Sequence, residues 1–178
     1  MIVHARWLSF LLVAIPMATA VAQRHADLNP VEVNQLRDTA MEPEKRLKLY
    51  IDFARQRLAK LDQIRSNPKM GITERGSATH DSLQDFLDVY DELNDNVDTY
   101  ADRKNDIRKP LKVVMDADNE FQAKLKVLQD SAASSKEDTK PYDFVLSNAL
   151  DTIKESINDH SQLMQEQGEA AKHKKKKQ

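Results

Sequence analysis

Two polar residues that could take part in acid–base chemistry occupy positions otherwise filled by apolar side chains. From Leu111 onward apolar residues recur every three or four positions, and Asp118 falls in that series; His160 falls in a similar series near the end of the chain. If the two segments form an antiparallel hairpin, these residues lie within about two helical turns of the same level. A buried pair of this kind could be an acid–base or metal-binding fragment.

The sequence favours a simpler interpretation of both residues, because two residues without a third partner do not make a site. A polar residue in a heptad position can fix the register or point to the edge of the core, which we predict for Asp118. We predict that His160 is a helix-end residue at the margin of the structure. Neither H-E-x-x-H nor E-x-x-H occurs, and the sequence predicts no catalytic, cofactor-binding or metal-binding residue.

A strongly acidic stretch precedes these residues. From His80 to Asp102 there are eight acids and no lysine or arginine, and the apolar residues recur with helical period, so the acids cover the opposite side of a helix. Carboxylates at this spacing can collect divalent cations weakly, although the D-x-[DN]-x-[DN]-G loop of a tight calcium site is missing. The face also complements the basic segment from Pro43 to Lys69. The sequence favours a solvated face with pairing along the helix edges, and a cation site or a site for a basic partner is the alternative.

The composition excludes several function classes. The chain has no cysteine and three glycines, which excludes thiol nucleophiles, thiolate metal sites, disulfides and glycine-rich phosphate loops. We therefore predict a protein that is not an enzyme and has no cofactor.

The first 22 residues predict export. Arg6 precedes an apolar run, Trp7 to Ala22, which is interrupted by Pro16 and ends in small residues. This is the layout of a secretory signal peptide, cleaved after Ala22 or, as second choice, after Ala20. Sixteen residues are short for the roughly 30 Å of a membrane interior. We expect a periplasmic or extracellular protein, with no transmembrane segment in the mature chain.

Charge is distributed unevenly along the chain. The 27 bases and 29 acids give a net charge of −2. Without Arg6 and the lysines of the tail, 21 bases remain against 29 acids, a net charge of −8. The acidic body argues against specific nucleic-acid binding, whereas the basic tail predicts an electrostatic tether to an anionic envelope surface. The candidate tether residues are Lys172, Lys174, Lys175, Lys176 and Lys177.

Helices must position these residues. Asn29-Pro30 begins a short helix that runs to about Met41, and Pro43 begins a long one that runs to about Ser66. Residues 67–79 are predicted to form a loop, and the acidic helix follows. Either a turn near Asn105-Asp106 or a kink near Pro110 then leads into the helix that carries Asp118.

The rest of the chain completes a bundle. Residues 132–141 form a polar loop, and a last helix begins near Tyr142 and fades near Gly168. The sequence predicts an all-α fold, an antiparallel up-down bundle of about four long amphipathic helices with a short N-terminal helix. The predicted organisation is a signal peptide over 1–22, a flexible N-terminus over 23–28, the bundle over 29–168 and a disordered lysine-rich tail over 169–178.

The predicted function follows from the signal peptide and the helical fold. The stretch LNPVEVNQLR, from Leu28 to Arg37, resembles the L-T-x-x-Q stretch of small periplasmic helical chaperones and stress sensors, but Asn29 replaces the threonine and the glutamine is displaced. No residue roles are transferred and no family is assigned. We predict an exported, non-enzymatic interaction, scaffold or chaperone-like envelope protein, which could form oligomers. The alternative is a periplasmic module that binds or senses divalent cations through the acidic helix over 81–102.

Overall fold

The structure, a computed structural model, describes residues 28–135 and 137–176, and the predicted signal peptide lies outside these residues. Every regular element in this part of the chain is a helix, so the all-α bundle prediction is confirmed. The elements are α1 (Pro30–Asp38), α2 (Pro43–Ser66), α3 (Ile72–Asp102), α4 (Arg108–Ser135) and α5 (Asp143–Lys176).

The four long helices form two antiparallel hairpins, α2–α3 and α4–α5, that pack side by side. Residue numbers rise together in the pairs that join α2 to α4, where Glu44 bonds to Lys109 and Arg55 to Glu120. On the α3–α5 side Asn94 bonds to Ser156. Helix α2 is therefore parallel to its neighbour α4, and α3 is parallel to its neighbour α5. The apolar faces of all four helices enclose one continuous core.

The connection between α3 and α4 is a turn and not a kinked helix. Lys104 has a φ of 59°, and the Asn105 N–H donates to the Tyr100 carbonyl at 3.0 Å while the Lys104 N–H donates to the Ala101 carbonyl at 2.8 Å. These are the two hydrogen bonds of a Schellman motif, which ends a helix through one left-handed residue. Pro110 then lies in the first turn of α4, where a missing N–H removes no helical hydrogen bond.

The loop predicted over residues 67–79 is wrong in its second half, because α3 already begins at Ile72. Gly76 lies inside the helix. An added Cβ at Gly76 would stand 3.0 Å from Pro141 Cγ, so the glycine permits close packing against the α4–α5 connection. Here tertiary packing decides the role of a glycine that the local sequence associates with a loop.

The end of α5 also differs from the prediction. The helix continues through Gly168 to Lys176, so the helix end near Gly168 and the disordered tail from residue 169 are wrong as far as Lys176. A glycine inside a helix costs only about 1 kcal/mol relative to alanine. The residues that follow are good helix formers, and Lys172 Nζ is 2.7 Å from Glu169 Oε1.

The short α1 is fixed to the bundle at both its start and its side. Its predicted start is confirmed, because Asn29 caps the helix and Glu32 completes a capping box. The two Glu32 carboxylate oxygens also accept from Arg57 of α2 at 2.8 Å each. Burial alone would raise the pKa of Glu32, but the hydrogen bonds from Arg57 and the Asn29 backbone outweigh it and lower that pKa. None of the described helices is long and apolar enough to cross a membrane.

Candidate functional site

Asp118 and His160 form a buried hydrogen-bonded pair in the bundle core. Asp118 is 0% exposed and His160 is 4% exposed, and His160 Nδ1 lies 2.8 Å from Asp118 Oδ2. The prediction of a helix-end histidine at the margin is therefore wrong. Asp118 lies in the core and not at its edge, and its other predicted role, a polar residue that fixes the register, stays a prediction. The hairpin geometry that could bring the two together is the one that occurs, and α5 extends well past His160.

A third residue, Tyr90 of α3, completes the network. Its hydroxyl donates to Asp118 Oδ1 at 2.8 Å, so each carboxylate oxygen has one partner. The ring of Tyr90 stacks on Phe86 at a centroid distance of 5.8 Å and meets Phe121 edge-on at 6.0 Å. The aromatic cluster fixes the tyrosine, and the network joins α3, α4 and α5 through the centre of the bundle.

The protonation state of Tyr90 sets the direction of these hydrogen bonds. Burial, followed by the charge of Asp118, raises the pKa of Tyr90 far above its ordinary value of 10.0. The phenol therefore keeps its proton and donates it to Asp118. The other carboxyl oxygen of Asp118 and His160 Nδ1 share one hydrogen bond at 2.8 Å.

His160 also lines a cleft between α3 and α5. The cleft has a volume of about 160 Å³ and is lined by Asn94, Asp98, Ala101, Ser156, Asp159, His160 and Leu163. Asn94 Nδ2 donates to Ser156 Oγ at 2.9 Å, and Ser156 Oγ donates to the Thr152 carbonyl at 3.0 Å. A larger groove of about 370 Å³ adjoins the cleft and shares Ala101 and Leu163 with it.

The electrostatics of the cleft are acidic. Desolvation raises the pKa of Asp98, His160 opposes the shift, and the charges of Asp95, Asp102 and Asp159 add to it. The seven residues that line the described cleft include no lysine or arginine. Negative charges therefore repel one another in the cleft.

The direction in which Ser156 donates its hydroxyl proton limits the chemistry available in the cleft. Ser156 lies one turn before His160 on α5, but its proton is directed to the Thr152 carbonyl, away from the geometry of a nucleophile activated by a base. Among the described residues no group of three or more His, Cys, Asp or Glu side chains is arranged to hold a metal ion.

The acidic face of α3 pairs with α2 less than the sequence suggested. Lys60 Nζ lies 3.2 Å from Asp85 Oδ2, which is the predicted edge pairing. Two arginines of α2, however, reach other elements: Arg55 binds Glu120 of α4, and Arg57 binds Glu32 of α1. Loss of hydration, followed by the charges of Asp88, Asp95 and Glu92, raises the pKa of the exposed Asp91 to about 6.

The candidate tether lies largely outside the described part of the chain. Lys172 is exposed on α5 and pairs with Glu169. The side chains of Lys174, Lys175 and Lys176 and the whole of Lys177 are outside the described residues. The tether therefore stays a prediction from the sequence.

Sequence reasoning missed Tyr90, Asn94 and Ser156 as members of the site. Tyr90 occupies a heptad position where its ring alone would explain it, and the other two look like ordinary polar residues of a helix surface. One signal was present: a tyrosine, an aspartate and a histidine occupy core positions on three different helices. A buried hydroxyl, carboxylate and imidazole each need a partner, and together they can satisfy one another.

The fold and the site have no counterpart that would assign a family. Comparison of the chain with protein-family models, with curated proteins and with solved structures finds no match in any of the three.

Proposed function

We propose that the protein is an exported, non-enzymatic helical bundle that acts as an interaction protein of the cell envelope, with chaperone-like binding of partly unfolded proteins. One observation carries the proposal: Phe144 is 85% exposed and Ile72 is 79% exposed at the same end of the bundle. The contact between Gly76 and Pro141 brings the start of α3 beside the start of α5, and these two residues belong to those first turns.

Large apolar side chains at one end of a bundle suit the capture of apolar segments. Exposed aromatic residues are enriched where proteins bind one another, because a rigid ring buries a large area with little loss of conformational entropy. The acidic body carries a net charge of −8, which keeps a complex with an apolar client soluble.

The proposed activity can be tested by the aggregation of reduced insulin, followed by light scattering. The chain has no cysteine, so the reductant does not alter it. We expect the protein to slow aggregation and the double variant Phe144→Ser with Ile72→Ser to lose at least half of that effect. Met41→Ser is the matched control, because Met41 is 88% exposed in the connection between α1 and α2. An inactive wild type, or a fully active double variant, contradicts the proposal.

Export is supported by the sequence over 1–22 and has a separate test. Full-length protein expressed in a Gram-negative host should be recovered from the periplasm with the mass of a chain that begins at Gln23. Recovery in the cytoplasm with Met1 to Ala22 still attached would overturn this part of the proposal.

A further inference from the structure

The α2–α4 side of the bundle has an open groove between two parallel helices. It has a volume of about 340 Å³. The edges of four core leucines, themselves almost fully buried, lie along it: Leu58, Leu61, Leu125 and Leu128. On the α4 wall of the same groove Val127 is 67% exposed. The surface thus offers a recess and a projecting apolar side chain, the two shapes that a closely packed protein contact needs.

Opposite charges stand on the two walls of the groove. Asp62 of α2 and Lys124 of α4 both line it, and Lys124 Nζ is 3.9 Å from Asp62 Oδ2. Both residues are exposed. Water screens such a long, exposed pair, so the attraction within one chain is weak. Each of the two charges can therefore take a second partner of opposite sign from outside the chain.

These charges make the groove complementary to itself. A rotation by 180° about an axis that runs along the groove lays the α2 wall of one copy over the α4 wall of the other. Asp62 of each copy then faces Lys124 of the other copy, and the four charges alternate in sign around the contact. An axis across the groove at this level would bring like charges together instead. Charge therefore selects the arrangement with the axis along the groove.

The same rotation gives Val127 a place on the other copy. The pair of Lys124 with Asp62 fixes the relative level of the two helices. Three residues further along both, Val127 lies near the level of Arg65 of α2. In the rotated arrangement Val127 therefore covers the α2 wall of the other copy at Arg65 and Ser66, which both line the groove. The Arg65 guanidinium already donates to both oxygens of Glu137, so the valine does not bury an unpaired charge.

We infer that a second copy of this chain occupies the groove, in a parallel dimer whose two-fold axis runs along it. From Lys124 to Ser131 the groove extends about 10 Å along α4. Such a small contact gives a weak dimer that forms at high-micromolar concentration. Because the axis is parallel to the helices, the ends that carry Phe144 point in the same direction in both copies. This inference goes beyond the proposed interaction function and does not depend on it.

Analytical ultracentrifugation of the chain that begins at Gln23, at concentrations up to about 1 mM, tests the dimer. We expect the dimer fraction of the wild type to rise with concentration. Val127→Glu should weaken the dimer at least tenfold, since it places a carboxylate in an apolar contact. The matched control is Val113→Glu, which makes the same change at an exposed position of α4 outside the groove and should leave the dimer unchanged.

Charge reversal tests whether the pairing joins two copies. Asp62→Lys alone and Lys124→Asp alone should each prevent the dimer, because like charges then meet across the contact. An equimolar mixture of the two variants should form a heterodimer, since one carries two cations in the groove and the other two carboxylates. Each variant changes an exposed side chain, and circular dichroism checks that it stays helical.

Four outcomes would overturn the inference. A wild type that stays monomeric leaves the groove to another protein or to solvent. A mixture of the charge variants that stays monomeric shows that Asp62 and Lys124 do not pair between copies. If Val113→Glu weakens the dimer as much as Val127→Glu, the contact lies elsewhere on α4. If Phe144→Ser with Ile72→Ser dissociates the dimer, the copies meet through the end of the bundle.

Discussion

The α2–α4 and α3–α5 sides of the bundle are built alike in backbone but differ in charge. Each brings together two parallel helices from different hairpins. Across the α2–α4 side, opposite charges meet: Arg55 lies 2.8 Å from Glu120, and Lys109 lies 2.8 Å from Glu44. Across the α3–α5 side, Asp98 and Asp159 line the same cleft, and the helices are joined by a hydrogen bond between neutral groups, Asn94 and Ser156.

The difference in charge accompanies a difference in what each side exposes. The α2–α4 side has a groove of about 340 Å³ that is lined by apolar core residues together with the oppositely charged Asp62 and Lys124. The α3–α5 cleft of about 160 Å³ is lined in part by acids and by His160, which links it to Asp118 and Tyr90. The polar network of the core therefore reaches the surface on the α3–α5 side, while the α2–α4 side exposes apolar core residues between opposite charges.

The largest effect is expected from breaking the buried network behind the cleft. Asp118→Leu leaves the Tyr90 hydroxyl and the His160 imidazole buried without their partner. We expect a loss of about 3 kcal/mol in the free energy of unfolding, measured by urea denaturation. Asp116→Leu, an exposed position on the same helix, should change it by less than about 0.5 kcal/mol.

The same network predicts coupling between its members. His160→Ala should reproduce a large part of the loss, and the double variant with Asp118→Leu should cost less than the two single variants added together. A higher melting temperature for Asp118→Leu would show that the carboxylate is a net cost to the fold, and the three-helix network would lose its stabilising role.

The all-α fold could be predicted because heptad periodicity reports the core positions directly, as with Phe86, Tyr90 and Phe121. The network could not, because Asp118 and His160 are 42 residues apart and their contact depends on the levels at which α4 and α5 pack. Gly76 misleads for the same reason, because its close contact with Pro141 is a tertiary one. Gly168 misleads for a local reason, since the good helix formers after it continue the helix in spite of the cost of the glycine.

The next effect concerns the ion pair that joins α2 to the α4–α5 connection. Arg65 donates to both Glu137 oxygens, at 2.8 and 2.6 Å, and these hydrogen bonds are the largest cause of the lowered pKa of Glu137. Glu137→Gln should lower the free energy of unfolding by about 1.5 kcal/mol at pH 7, measured by urea denaturation. Asp130→Asn, which removes an exposed carboxylate from α4, should have no comparable effect.

The pH dependence of the Glu137 variant has a definite sign. A carboxyl group whose pKa is lowered by folding stabilises the fold fully at pH values above its ordinary pKa of 4.5. This contribution is lost as the pH falls through the lower pKa that the group has in the folded chain. The difference between wild type and Glu137→Gln should therefore shrink below pH 4.5. If the difference in stability between the two proteins stays constant down to pH 2, the shape of the Glu137 side chain and not its charge accounts for the effect.

A smaller effect of opposite sign is expected on the acidic helix α3. The pKa of Asp91 is raised to about 6 from 3.8, so its carboxylate is less favourable in the folded chain than in the unfolded chain. Asp91→Asn should raise the melting temperature at pH 7 by about 1 °C, a small gain because solvent screens an exposed group. The gain should fade as the pH falls from 6 to below 3.8.

The α2–α4 side supplies the control for this carboxylate. Asp62 lies 3.9 Å from Lys124, so Asp62→Asn removes an attraction and should not raise the melting temperature. Equal stabilisation by both variants would show that the total negative charge of the body matters, and not its placement on one side of the bundle.

The smallest effect on stability is expected from removing the end of α5. Gln167 accepts from the Ile107 N–H and donates to the Asn105 carbonyl, both at 3.0 Å, so it fixes α5 to the α3–α4 turn. The helix then continues nine residues to Lys176, about 13 Å at the rise of an α-helix. Truncation after Ala171 leaves the Gln167 contacts intact and should not change the melting temperature.

The same truncation should abolish binding to anionic vesicles. The five lysines of the tail are attracted to anionic lipid, while the rest of the chain from Gln23, at −8, is repelled. The tail has no apolar residue larger than alanine and does not insert, so its attraction is electrostatic and is screened over about 8 Å at physiological salt. We expect cosedimentation with anionic vesicles at low ionic strength, none at high salt and none with neutral vesicles. If the truncated chain cosediments equally, the tail is not the tether, and the basic residues of α2 become the surface to change next.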